Sequence, residues 1–150
     1  MEDNLNIKTK GTYVAVRVLN SGQLIQFCQE QGLIVSKPEE LHVTIAYSKT
    51  PFSFKPGIVD NILVIPPGCA KFGMIGDVHL VLKLDSVILQ CEHVRTMEAG
   101  AQYDWPEYTP HITIEYNCGA VDVSHLQNPL FEIELGAEYV EELDLDWIQN

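Results

Sequence analysis

Two stretches decide how this chain reads: Leu41-His42-Val43-Thr44-Ile45 and Pro110-His111-Ile112-Thr113-Ile114. Each alternates polar with β-branched apolar side chains, the period of a strand with one covered face. His42 and Thr44 then share a face, as do His111 and Thr113. Val43, Ile45, Ile112 and Ile114 point into the opposite layer.

The sequence before each motif repeats as well. Residues 11–19 read as a strand, and Gln23 to Gln31 as a helix, with Asn20 or Ser21 as its cap and Gly32 as its stop. A polar loop at 36–40 leads into a strand at 41–47. The pattern restarts with a strand at 79–84, a helix at 87–101, a polar aromatic loop at 103–108 and a strand at 110–116. Strand, helix, loop and His-apolar-Thr strand thus occur twice, over roughly 11–48 and 78–117. Short strands are expected at 61–65 and 70–75, a turn at 122–127 and a last strand at 131–144. The predicted architecture is one catalytic domain over 1–150, of α+β class. Its duplicated strand–helix–strand units form two similar lobes around a central cleft that takes the ligand.

Composition narrows the function. Of 150 residues, 46% are hydrophobic and 20% charged, as in a globular chain. No apolar run reaches the roughly 18–20 residues of a membrane span, and the acidic start Met1-Glu2-Asp3 does not read as a signal peptide. A cytoplasmic protein with no membrane partner is expected. Cys28, Cys69, Cys91 and Cys118 are widely spaced and read as reduced thiols. The net charge is −12, and residues 96–150 hold twelve acidic residues without one Lys or Arg. Such a surface repels long nucleic acid but leaves room for a small anion held by local donors. Nothing in the sequence sets an oligomeric state.

Two imidazoles and two hydroxyls facing one cleft suit phosphoryl transfer. A neutral imidazole takes the proton of the attacking oxygen, and a protonated one supplies the leaving oxygen. The hydroxyls of Thr44 and Thr113 donate to non-bridging oxygens, where charge builds. No cofactor and no metal are expected, because Thr is a poor ligand and no further His or carboxylate joins the motifs in sequence. His79, His93 and His125 read as structural or solvated.

The paired motifs inside the duplicated strand–helix unit resemble the two-histidine phosphoesterase superfamily. Within it, Lys10-Gly11-Thr12-Tyr13-Val14-Ala15-Val16, together with the residues flanking the two motifs, resembles the phage anti-CBASS phosphodiesterases across nearly the whole chain. That resemblance implies a metal-independent enzyme cleaving the 3′–5′ linkages of cyclic di- and trinucleotide messengers, by which a phage evades a bacterial defence. It implies His42, Thr44, His111 and Thr113 as catalytic residues and a cyclic oligonucleotide as partner. Tyr13 and Trp147 are candidates to stack bases, and Glu141 to accept from a base amino group. Trp105 and Tyr116 flank the second motif, and Lys10, Lys49 and Arg17 are possible phosphate partners. Three other readings stay open here: a phosphodiesterase for RNA ends or 2′,3′-cyclic phosphates, a non-catalytic sponge for cyclic nucleotides, and a structural phage or interaction protein whose motifs are vestigial.

Overall fold

Alternating apolar residues produce strands wherever one face can be covered, and the chain uses them that way throughout. The structure is a computed structural model that describes residues 10–145. In chain order it has β1 (Lys10–Val18), α1 (Ser21–Glu30), a 3-10 turn at Pro38–Glu40 and β2 (His42–Ser48). Next come β3 (Leu63–Ile65), β4 (Ala70–Ile75), β5 (His79–Leu84), α2 (Val87–Glu98), β6 (His111–Glu115) and β7 (Ile133–Asp144).

All seven strands join one sheet in the order β3-β7-β1-β2-β6-β5-β4. Every neighbouring pair is antiparallel. This corrects the expected α+β fold with two lobes. The described residues form a mostly antiparallel, curled sheet with two α-helices, and the strand–helix–strand repeats lie side by side within it. The physical reason is the shared core. Val14 and Val16 of β1, Val43 and Ile45 of β2, Leu80 and Leu82 of β5, and Ile112 and Ile114 of β6 are all fully buried in one cluster. Leu24 and Cys28 of α1 and Leu89 of α2 cover it. Two lobes would need two cores, and the apolar residues supply one.

Two local devices shape the sheet. Val14 pairs with Ala46 but Ala15 with Thr44, so Ile45 is an extra residue in β2. This bulge buries both Ile45 and Ala46 and returns Tyr47 to the face of Thr44. Gly11 lies so close to β2 that a Cβ there would collide with the Ser48 carbonyl. Asn20 stands at the N-cap position of α1, yet its side chain caps nothing. Its amide instead donates to the Glu132 carbonyl and accepts from the Glu134 N–H, tying the helix start to β7.

One buried carboxylate ties three elements together. Glu138 of β7 accepts from the Gly57 N–H at 2.6 Å and lies 3.7 Å from Arg95 of α2. Arg95 also binds Glu92 at 2.9 Å, donates to the Lys55 carbonyl and stacks on Phe54. Glu138 Oε2 reaches no hydrogen-bond partner. Burial pushes its carboxyl up to about 7; the Gly57 N–H opposes that shift and neighbouring Glu92 adds to it. A raised carboxyl pKa makes folding favour the proton. Its stability is complete below an unfolded value near 4.5 and is lost as pH rises to about 7. Glu138→Gln should therefore stabilise the protein at pH 8 by of order 1–3 kcal/mol and change little at pH 5. Thermal melts at the two pH values check this; equal shifts at both would exclude titration of Glu138 as the cause.

Candidate active site

The register across the centre of the sheet decides what the four motif residues do. β2 and β6 pair at Val43 and Ile112. Carried one residue either way, antiparallel pairing sets His42 opposite Thr113 and Thr44 opposite His111. All four are half-buried on one face, while Val43, Ile45, Ile112 and Ile114 are fully buried on the other. The expected cleft between lobes is thus replaced by a patch on two adjacent strands. The two histidines are diagonal neighbours, roughly 7–8 Å apart at their backbones by sheet geometry.

Each imidazole is held in the same way. His42 Nδ1 lies 2.5 Å from the carbonyl of Glu40, and His111 Nδ1 lies 2.7 Å from that of Thr109. A carbonyl only accepts, so Nδ1 carries the proton and Nε2 is left for exchange. The hydroxyl of Tyr13 sits 2.8 Å from Thr44 Oγ1. Its ring meets His42 edge-on at 6.2 Å and lies near Tyr47 and Tyr139. Burial holds the Tyr13 phenol above its ordinary range, so it stays neutral and able to donate. Burial is also the main cause of a lowered pKa at His111; the Thr109 carbonyl opposes it, while the charges of His42, His79 and Lys83 lower it further.

Cross-strand pairing extends the patch into two rows. One reads Lys71, Lys83, His111, Thr44, Ala15, Tyr139; the next reads Gly73, Val81, Thr113, His42, Arg17. Arg17 lies 4.9 Å above the Tyr139 ring. Among the described residues no carboxylate forms an ion pair with Arg17, Lys71 or Lys83. Lys10 and Lys49 differ: they pair with Glu142 at 2.8 Å and Asp104 at 3.8 Å. Glu141 is exposed on β7 opposite Tyr13. Trp147 lies outside the described residues. Tyr116 packs against His79 and lies beneath Lys37, whereas Trp105 is 70% exposed and borders a cavity.

His93 is structural. It is buried with Nδ1 2.8 Å from the Ile45 carbonyl, and it stacks on Tyr108 at 4.1 Å. The Tyr108 hydroxyl donates to the Thr44 carbonyl at 2.7 Å, so α2 and the following loop hold the backbone of the first motif. Sequence reasoning missed Lys71, Lys83 and the two carbonyls that orient the histidines. The lysines join the site only through pairing with distant strands, and a carbonyl leaves no mark on residue type.

Comparison with known proteins now places the chain. A family model described as "Anti-CBASS protein Acb1" matches residues 10–150. The chain belongs to the anti-CBASS Acb1 family. A relative of that name from Enterobacteria phage T4 is 38% identical over 126 residues, covering 81% of this chain and 80% of the relative. One from Yersinia phage phiR1-RT is 34% identical and covers 94% of each. One from Caulobacter sp. (strain RHG1) is also 34% identical over 95% of this chain, but the chain spans only 24% of that protein. The likeness to the two-histidine phosphoesterase superfamily does not hold as an assignment. The matching family is Acb1, a distinct family, and each of these relatives carries its name.

His111 should titrate below the usual imidazole value of 6.5 in an NMR pH series. In His42→Gln its midpoint should rise only part of the way back, because burial is the larger cause. A midpoint unmoved by that substitution would separate the two histidines electrostatically.

Proposed function

We infer that this protein opens cyclic di- and trinucleotide messengers at a 3′–5′ linkage, the activity by which it would counter CBASS defence in a bacterial cytoplasm. The observation that carries the reading is the matched pair of imidazoles. Each is fixed through Nδ1 by a carbonyl two residues earlier, and each sits beside a threonine on the same face. The names of the relatives point to the same defence system.

The ribose 2′-oxygen attacks phosphorus and its proton passes to Nε2 of His111, whose lowered pKa favours the neutral, accepting form near pH 7. The phosphorus–O5′ bond breaks, and O5′ takes a proton from Nε2 of His42. The products are a 2′,3′-cyclic phosphate and a 5′-hydroxyl on one linear chain. Thr44 and Thr113 donate to the non-bridging oxygens, and Tyr13, bonded to Thr44, orients that hydroxyl. Arg17, opposite His42, adds a fixed positive charge beside the phosphate. Glu141 and Trp147 are assigned to base recognition.

His42→Ala and His111→Ala should each lower turnover of cyclic GMP–AMP by about 10²–10⁴-fold, and Thr44→Ala and Thr113→Ala by less. Activity should persist in EDTA, and a 2′-deoxy linkage should resist cleavage. Chromatography with mass analysis reads all of these. Binding without turnover by the unaltered protein would make it a sponge. Opening of 2′,3′-cyclic mononucleotides alone would make it an RNA-end enzyme.

A further inference from the structure

A cavity of about 340 Å³ opens beside the second motif, lined by Ile75, Tyr103, Trp105, Pro106, Glu107 and Thr109. That is within the size range of small-molecule sites. Thr109, in the cavity wall, is also the residue whose carbonyl holds His111. Ile75 alternates along β4 with Gly73, which lies in the row containing Thr113 and His42.

The loop forming the cavity is braced before any ligand arrives. The Tyr103 hydroxyl donates to the Glu107 carbonyl at 3.1 Å and closes a turn that presents Trp105. Tyr103 and Tyr108, on either side of this turn, both pack against the ring of His93, at 4.5 and 4.1 Å. A large aromatic ring, 70% exposed, is thus held over an open apolar space.

Charge lies on the same side of the site. Lys71 and Lys83 stand directly opposite each other on β4 and β5. Like charges directly opposite each other on neighbouring strands repel. Gly73 leaves a channel for one of them: a Cβ there would lie 2.8 Å from Lys83 Cε and 3.3 Å from its Nζ. The Lys83 side chain therefore lies across Gly73 of β4, two residues from Ile75 at the cavity, and its charge is one of the causes that lower the His111 pKa.

We propose that this cavity is a second nucleotide subsite, taking one base of a cyclic dinucleotide under Trp105 while Lys83, with Lys71, binds the phosphate that is not cut. The assignment rests on the phosphodiesterase reading and adds to it how a ring with two phosphates is held. Trp105 offers a stacking face, and the Glu107 carboxylate an acceptor for an exocyclic amino group.

The test is steady-state cleavage of cyclic GMP–AMP by the unaltered protein, Trp105→Ala, Trp105→Phe and Lys83→Gln, at two salt concentrations. Trp105→Ala should raise KM about tenfold or more, the loss of one stacked base, with kcat falling by less than about threefold. Trp105→Phe should restore most of the KM. Lys83→Gln should raise KM and weaken its rise with salt. KM values within about twofold of the unaltered protein in both Trp105→Ala and Lys83→Gln would overturn the subsite and leave the phosphodiesterase reading intact. Loss of kcat in Trp105→Ala, not rescued by Phe, would also overturn it, by showing that the ring merely supports His111. Absence of cleavage by the unaltered protein would instead remove the underlying reading, and the subsite with it.

Discussion

The pairing of Val43 with Ile112 is the joint on which both fold and site depend. It brings together the two strand–helix–strand repeats, β1-α1-β2 and β5-α2-β6, at their motif strands. On the covered face it continues the core from Val43 and Ile45 into Ile112 and Ile114, so that both helices close over one apolar layer. On the open face the same register sets each histidine opposite the threonine of the other motif. Because strand side chains alternate strictly, a slip of one residue would drive the imidazoles into the core and leave the isoleucines outside. Burial of four β-branched residues therefore enforces the geometry of the two His–Thr pairs.

The histidines are oriented by the backbone just outside their strands. The carbonyls of Glu40, in the 3-10 turn, and Thr109, ahead of Pro110, each accept from an Nδ1–H. Pro110 lacks an N–H, but its carbonyl still accepts from Leu84, so the strand entry stays attached to β5. Both imidazoles thus gain one proton-exchange nitrogen each without a carboxylate partner. Among the described residues no carboxylate is bonded to either ring.

Local charge and net charge differ here. The chain carries −12, yet Arg17, Lys71 and Lys83 lie in the rows with the histidines and are free of ion pairs to described carboxylates. At physiological salt the field of distant acids fades over about 8 Å, so a phosphate on the sheet responds mainly to these near cations. The aromatic group around His93 adds rigidity: Tyr103 and Tyr108 brace the loop above, and Tyr108 also holds the backbone carbonyl of Thr44.

The order of strands and helices, and the two His-apolar-Thr pairs, were legible from the sequence because alternation and helix spacing are properties of neighbouring residues. Even so, the Asn20 cap failed: its amide found partners at Glu132 and Glu134, around the start of β7 and far along the chain. The expected pair of lobes failed for a related reason. A duplicated pattern shows that two units are alike, but not whether they face each other or share a sheet. That choice belongs to the total apolar surface, which fills a single core here. Only the tertiary structure decided that His42 meets Thr113, that Lys83 stands beside His111 and that Trp105 overhangs a cavity. Register between strands distant in sequence follows from packing both faces of the sheet at once, and no local stretch contains that information.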